Sequence, residues 1–436
     1  MFALRQTLKA DNSTRTVAPE ATISNVRGLA RTLGVTRLAD ITGLDRLGIP
    51  TFSAIVPHSA DAISIYNGKG VRRADAMAGA LMEAIERQSA LNARPFSVIG
   101  SVAGMRQQGP ILEPAALVTR LAENYGESRP YEWVEGYDLL HDAKVLVPAG
   151  LVGYFWNHLA CDSPISFSTS HGLASGNCIE EAIAQALCEW VERDAWTLAE
   201  LGSHWRPRAV LESAMRRDPG ADFDDDMDYC PCVDLTGIGE PVEGLLRKFE
   251  RARLRPVVRD LTSDLGIPVI LAAIGEEEVP GFPQAHMGVG AHPEVRVAVA
   301  RALAEAAQSR AGDIQAVRED VDTAEGEGAV GLTSHTRRVK TIDRRRWIHG
   351  RSSKLRSWRE IPNHRNADIR DDIDLLLNRL RKAGVPQVAV VDLSPPDAGV
   401  AVVRVLVPGL ETWITDHGRF GERAVQLWRG LNRKHG

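Results

Sequence analysis

One helix phrase occurs three times in the 436-residue chain, each time behind a glycine-rich segment. The copies read Ala80-Leu81-x-Glu83-x-x-Glu86-Arg87, Ala186-Leu187-x-Glu189-x-x-Glu192-Arg193 and Ala302-Leu303-x-Glu305-x-x-Gln308. The segments ahead of them are Gly68-Lys69-Gly70, Gly172-Leu173-Ala174-Ser175-Gly176 and Gly288-Val289-Gly290. The copies lie 106 residues apart (83 to 189) and then 116 (189 to 305), far beyond the roughly 20 to 50 residue period of solenoid repeats. The pattern predicts three equivalent helices meeting at one site.

In each copy the alanines and leucines form a buried stripe, and glutamates three apart stand one above the other beside it. A single Glu-x-x-Glu is usually surface charge. Two copies with identical spacing, set among Ala, Leu, Ile, Val and Trp, point to a carboxylate site instead. Clustered carboxylates in a partly dry site stay ionised only with cations among them. Oxygen donors without a Cys/His set suit Mg2+, which usually arrives with substrate phosphates. Glycine-rich turns that open helices expose N–H groups to anions, and Lys69 between two glycines is placed to reach a phosphate. Asn177 is expected to N-cap the second helix, with Glu180 completing a capping box. Neither the Walker A pattern nor the dinucleotide fingerprint is present.

At these residues the sequence resembles the YcaO family of ATP-dependent peptide-backbone-modifying enzymes. That family carries Ser-x3-Glu-x2-Glu-Arg, Ser-x6-Glu-x3-Gln and Glu-x3-Arg. Here the first is Gly79-x3-Glu83-x2-Glu86-Arg87, and the second keeps Glu181-x3-Gln185 with Ala174 at the serine position. The third is intact as Glu189-x3-Arg193, and Ser170 or Ser175 are stand-ins for the two absent serines. The resemblance implies an α/β (α+β) fold of YcaO type, with mixed sheets and three Gly-turn/acidic helices converging on one ATP-Mg2+ site. It implies that Glu83, Glu86, Glu189 and Glu192 hold magnesium, and that Asn177, Glu181, Gln185, Arg87 and Arg193 bind or position the nucleotide. Lys69, Ser170, Arg301 and Glu305 complete the expected ATP set. Arg87 and Arg193 are the catalytic expectations, and His171 is the best general-base candidate. The segment from Gly290 to Arg310, and Val405-x-Val407-Pro408-Gly409-Leu410-Glu411, are similar to the subgroup found with TfuA proteins.

The implied activity is ATP-dependent activation of a peptide backbone amide. A TfuA-type thioamide reaction is favoured over azoline formation. The ending Leu427 to Gly436 lacks the proline-rich form common in azoline-forming members, and no extra leader-binding domain is evident. A noncatalytic ATP-binding scaffold is the alternative of another class. The implied partners are a peptide or protein substrate and a TfuA-like or peptide-delivering protein, and a homodimer is compatible with the sequence.

Composition agrees with this. An apolar fraction of 44% and a charged fraction of 25% are those of a globular protein, and a net charge of −5 argues against nucleic acid. No apolar run of about 18 residues suggests a membrane span and no export signal is evident, so a cytoplasmic location is expected. Cys161, Cys178, Cys188, Cys230 and Cys232 then read as reduced thiols, and the Cys230-Pro231-Cys232 spacing is too tight for a usual zinc pair.

The expected organisation is an N-terminal segment over 1–59, a YcaO domain over 60–415 and a tail over 416–436. Arg5 to Gly28 reads as a polar, uncommitted stretch, and the end near His435 as mobile. Helices are expected over Asp75–Ala93, Glu180–Ala199, Glu294–Val317 and Asp372–Lys382. Strands are expected over Val145–Leu151, Ile165–Ser168, Pro268–Ile274, Gln387–Leu393 and Val400–Val407. Asp218–Asp228 reads as an exposed acidic loop. The charge reversal from Asp322–Leu332 to the basic run ending at Arg346 suggests an excursion from the core.

Overall fold

The computed structural model describes residues 4–11, 13–61, 63–114, 117, 126–156, 159, 169–204, 226–276, 284–316, 346–412, 414 and 420–435. The expected strand Ile165–Ser168, most of the acidic loop and nearly all of the 322–346 excursion lie outside these residues. Three sheets carry the fold. A three-stranded antiparallel sheet joins β1 (Arg37–Asp40), β2 (Thr51–Ile55) and β3 (Ile65–Lys69) in that order. The largest is built from β4 (Ser97–Ser101), β5 (Pro130–Asp138), β6 (Ala143–Pro148), β7 (Leu173–Gly176), β13 (Ala389–Asp392) and β14 (Ala401–Leu406). Its order is β4-β5-β13-β14-β7, with β6 also on β5. The third joins β8 (Cys232–Asp234), β9 (Val257–Asp260), β10 (Val269–Glu276), β11 (Gln284–Ala291) and β12 (Leu355–Ser357) in the order β11-β10-β9-β8-β12, with only β12 on β8 parallel.

Seven described helices run ten residues or longer: α1 (Pro19–Thr32), α2 (Arg73–Asn92), α3 (Ile179–His204), α4 (Val242–Arg251), α5 (Val295–Ala316), α6 (Ile369–Lys382) and α7 (Glu422–His435). The three repeats are α2, α3 and α5, each following the strand that precedes it: β3, β7 and β11. The glycines expected in turns therefore lie mostly on strands. Their use is close packing. A Cβ on Gly68 would stand 2.1 Å from the Ala80 N, and one on Gly290 would stand 2.9 Å from the Ala302 N and 2.4 Å from the Ala298 O. Gly68, Ala174 and Gly290 each sit fifteen residues before the first glutamate of their copy, so the repeat is a strand-helix unit rather than a helix alone.

The alanine stripe supplies the other side of that contact. Ala76, Ala80 and Ala84 of α2 are fully buried against Phe52, Ala54 and Tyr66, while Ala298, Ala302 and Ala306 of α5 are fully buried over the third sheet. The main core gathers around α3, with Ile183, Leu187 and Trp190 at 0% exposure among Val402, Val403 and Val405 of β14.

Two expectations at the chain ends are corrected. The stretch from Arg5 to Gly28 contains most of α1, started by Pro19 and stopped at Leu33, and its buried Val26 and Ala30 join the main core. The residues before α1 are tied down as well: Thr7 N–H donates to Asp368 at 2.8 Å and the Lys9 ammonium pairs with Asp372 at 2.5 Å. The tail is a helix. Arg423 of α7 holds Asp194 of α3 through Nε at 2.9 Å and Nη2 at 3.0 Å, and Glu411 accepts the Gly421 and Ala424 N–H groups at its start. Polar sequence hid both segments because only a narrow apolar edge of α1 enters the core and the remaining anchors are polar groups far off in sequence.

Candidate active site

The acids of the three repeats lie near enough to feel one another and Lys69. Glu83, Glu86, Glu189 and Glu192 keep 13–32% of their side-chain surface exposed, the mark of a cleft wall rather than a sealed core. Arg87 lies 3.8 Å from Glu83 and 3.6 Å from Glu86. Arg193 repeats the pattern, 3.6 Å from both Glu189 and Glu192. The third copy joins through Lys69 of β3, whose ammonium donates to Glu305 of α5 at 2.9 Å. Burial alone would depress Lys69, but Glu305, Glu83 and Glu192 outweigh it and the pKa is raised.

The carboxylates feel one another across helices. Burial pushes Glu86 up to about 8 against the pull of Arg87, and repulsion from Glu83 and Glu189 adds to it. Burial likewise raises Glu192 against Arg193, with Glu305 and Glu189 adding, and raises Glu83 against Arg87 and Lys69. Glu83, Glu86, Glu189, Glu192 and Glu305 gather around Lys69, Arg87 and Arg193, more carboxyl groups than cations. Asp61, Arg404 and Arg301 are the next charged groups, interacting with Glu83, Glu189 and Glu192 respectively.

The other expected residues divide. Glu181 is 2% exposed and crowded with donors: the Thr16 N–H and hydroxyl at 2.6 Å, and the Asn177 N–H at 3.0 Å and side-chain amide at 2.9 Å. Burial opposes ionisation there, yet Arg15, Thr16 and Asn177 hold the pKa down. The helix start thus differs from the expected capping box. Glu181, not Glu180, returns to Asn177, while Glu180 accepts the Arg5 N–H at 2.8 Å and Asn177 Oδ1 accepts from Thr22. Gln185 follows on the same helix and is half-buried, as is Ser170, whose carbonyl accepts from Leu173. Arg301 donates to the Ala291 carbonyl at 3.0 Å, and burial lowers its pKa. Ser175 donates to the Met82 carbonyl at 3.1 Å, stitching β7 to α2, and also lies against Glu86. His171 stacks on Trp190 with ring centroids 3.9 Å apart, and burial, then Arg193 and Arg404, drive its pKa far down. Such a ring is a weak base.

A family model described as YcaO cyclodehydratase, ATP- and Mg2+-binding, matches residues 67–411. The chain belongs to the YcaO family. An uncharacterized protein of Methanothermobacter thermautotrophicus is 37% identical over 93% of this chain and 97% of its own length. Another, from Rhizobium leguminosarum bv. trifolii and described as lying in the tfuA 3′ region, is 33% identical over 97% and 94%. Among solved structures, the YcaO protein of Methanopyrus kandleri bound with AMPPCP and Mg2+ is 25% identical with a TM-score of 0.70, covering 96% of this chain and 98% of that one. A heterocyclase in complex with substrate and cofactor has the same fold, with a TM-score of 0.73 at 22% identity over 94% of this chain. This chain spans about half of that heterocyclase, 54%. ATP and Mg2+ are the family's cofactors.

The carboxylate oxygens of the repeats, with no Cys/His set among them, are the donor type that suits magnesium. Among the described residues no group of three or more His, Cys, Asp or Glu side chains is drawn together to hold a metal. Each pair of carboxyl groups stands beside its own arginine at 3.6–3.8 Å, and a divalent cation would favour their ionised form. Burial pushes the thiols of Cys188 and Cys230 up to about 12, which disfavours the thiolates a metal would need. No helix among the described residues is long and apolar enough to cross a membrane.

Three residues of the cleft escaped the sequence reading. Arg404 is 0% exposed in β14, its guanidinium donating to the Thr169 carbonyl at 2.8 Å, and burial brings it down to about 9. A lone arginine inside Val402-Val403-Arg404-Val405-Leu406-Val407 was a readable signal of a buried charge. Tyr154 and Asp61 had none, because their roles exist only after folding joins them to Arg87.

Proposed function

We propose that this YcaO protein uses ATP to phosphorylate a backbone amide oxygen in a ribosomally made peptide or protein, and that with a TfuA-type partner the product is a thioamide. The observation that carries the reading is the site itself: two matched carboxylate pairs, each with its arginine, coupled through Lys69 to Glu305 of the third copy. The catalytic unit is assigned to residues 60–415, with 1–59 leading into it and 416–436 following. In this reading Glu83, Glu86, Glu189 and Glu192 hold magnesium, which when bound offsets charge on the phosphates. Lys69, Ser170, Asn177, Glu181, Gln185, Arg301 and Glu305 bind the nucleotide. Arg87 and Arg193 offset charge that builds on the transferring phosphoryl group, so positioning and electrostatics supply most of the acceleration.

The amide oxygen attacks the γ-phosphorus, the bond from that phosphorus to the β-γ bridging oxygen breaks, and ADP leaves. A sulfur nucleophile adds to the amide carbon and gives up its proton, and phosphate then departs with the original amide oxygen. A neighbouring Cys, Ser or Thr side chain in place of external sulfide would give an azoline. The Rhizobium relative's position beside tfuA supports the thioamide.

Mass spectrometry of a candidate peptide, co-expressed with this chain and a TfuA-type partner, tests the reading. The expected product is heavier by the exchange of oxygen for sulfur. A product lighter by one water identifies the azoline route. An unmodified peptide, with ATP bound but not consumed, identifies a noncatalytic scaffold. ATP consumption unchanged in Glu83→Gln and Glu189→Gln removes the metal assignment.

A further inference from the structure

Arg87 stands between two carboxylates of its own helix, yet it hydrogen-bonds to neither. Its closest approaches to Glu86 and Glu83, 3.6 and 3.8 Å, exceed hydrogen-bond length. The guanidinium is held by a neutral group instead. Nη1 donates to the Tyr154 hydroxyl at 2.7 Å, and Tyr154 in turn donates to Asp61 Oδ1 at 2.6 Å. The other oxygen of Asp61 accepts from Tyr66 at 3.1 Å, and Tyr66 accepts from Gln88, the residue after Arg87, at 2.9 Å. The chain of donors therefore leaves α2 at two adjacent residues and ends on one carboxylate. Tyr66 is 0% exposed and Tyr154 4%, so water does not compete for these bonds. Arg87 Nε is buried and makes no hydrogen bond, with Glu86 its nearest carboxylate at 3.6 Å.

We propose that Tyr154 and Asp61 are positioning residues, which hold the Arg87 guanidinium off Glu83 and Glu86 and aim it at the terminal phosphate of the nucleotide. The inference rests on the reading of the cleft as an ATP site, and adds what keeps its two charge types apart. A guanidinium free to rotate would close onto the adjacent glutamates, quenching the cation meant for phosphate and the anions meant for metal at once. A phenol suits the anchor because it accepts from arginine while donating onward, and because it brings no charge of its own. Asp61 supplies the charge one bond further away, where it orients the phenol without pairing with Arg87 directly. The phenol stays protonated, since burial and Asp61 both raise its pKa and Arg87 only partly opposes them.

The test uses the full chain and two probes, AMPPCP with Mg2+ and ADP with Mg2+, titrated calorimetrically. Tyr154→Phe keeps the ring and removes the acceptor; Asp61→Asn keeps the shape and removes the charge. Both are expected to weaken AMPPCP roughly tenfold or more while leaving ADP unchanged, because only AMPPCP presents the terminal phosphate. In Arg87→Lys the further change Tyr154→Phe is expected to add nothing. Equal weakening of both probes marks a merely structural role and overturns the proposal, as does an additive loss in the double variant. An Arg87→Gln variant separates the two levels of inference. If it leaves the AMPPCP to ADP ratio unaltered, the assignment of Arg87 to phosphate fails; if it lowers the ratio while Tyr154→Phe does not, only the positioning role fails.

Discussion

Helices α2 and α3 carry the same acid-acid-arginine phrase and are held in place by different means. In α2 the arginine is tethered from outside by Tyr154, and the helix lies on a three-stranded sheet whose Gly68 lets the backbones meet. In α3 the glutamate is tethered instead: Glu189 accepts the Gly172 N–H at 3.1 Å, while Arg193 lies over the Trp196 ring at 5.5 Å. Behind α3 stand the buried Trp190, bonded to the Val405 carbonyl at 2.8 Å, and Asp194, clamped by α7. What repeats is the face turned to the cleft. What differs is the face turned to the protein, where each helix solves its own packing problem.

The sharpest way to break the comparison is to detach α3 from its own support. Arg423→Ala leaves Asp194, at 0% exposure, with a buried charge and only the Glu411 N–H at 3.0 Å among its former strong partners. Loss of one partner of a buried ion pair costs about 3 kcal/mol or more. Urea unfolding monitored by tryptophan fluorescence should record that loss. A cost below about 1 kcal/mol, as for a surface pair, would mean that α7 does not brace α3.

The next test asks whether the two cleft faces are equivalent. Glu86→Gln and Glu192→Gln remove the same position from each copy, and each should weaken Mg2+-supported AMPPCP binding by about 100-fold or more, since even outer-shell changes at metal sites cost tenfold to 100-fold. A large loss in one and none in the other would assign the metals to one helix. Without Mg2+ the same pair has a pH signature. The folded-state pKa of Glu86 is raised to about 8 from an unfolded value of 4.5, so the folded protein binds the extra proton between those values. Its stability therefore falls as pH rises from 4.5 to 8, and Glu86→Gln should flatten that slope in thermal melts.

The cleft was more legible in the sequence than the scaffold. The acids, arginines and Lys69 announced themselves because the same spacing recurs, and periodicity gave α2, α3, α5 and α6 to within a few residues at most ends. Strands β1, β2, β3, β4, β5, β7, β8, β9, β11 and β12 carry no strand expectation from the sequence. β11 reads Gln284-Ala285-His286-Met287-Gly288-Val289-Gly290-Ala291, where glycine and histidine suppress the usual strand signal because the strand must admit a helix backbone, not present side chains to it. Helices α1 and α7 were hidden for another reason: each is fixed by contacts across more than 100 residues of sequence, such as Thr22 to Asn177 and Arg423 to Asp194. No local window contains both partners.

Close packing is itself open to test at a position the copies share. Gly290→Ala would bring a Cβ to 2.4 Å from the Ala298 O and 2.7 Å from the Arg301 Cβ, contacts that only a backbone shift relieves. Overpacking of that kind costs about 1–3 kcal/mol. The second copy already carries a methyl there as Ala174, buried at 1% in the main core, so α3 accepts what α5 should not. If Gly290→Ala melts like the parent, the glycine serves something other than helix approach.

The smallest expected effect on stability falls on the position where this chain departs from the family's serine. A Cβ on Gly79 would meet the Gly68 Cα at 3.4 Å and the Lys69 N at 3.8 Å, both ordinary contacts, and φ there needs no glycine. Serine also exceeds glycine in helix propensity, so Gly79→Ser should leave stability level or raise it by about 0.5 kcal/mol, read as an unchanged or slightly higher melting midpoint. Its consequence for function separates two explanations of the missing hydroxyl. If the family serine donates to a phosphate or to water on the metal, restoring it beside Lys69 should tighten AMPPCP with Mg2+ and leave the protein's fold untouched. If Ser175, bonded to Met82 and lying against Glu86, already does what is needed from the opposite wall, nucleotide binding should not change, and Ser175→Ala in the parent should then be the variant that loses it.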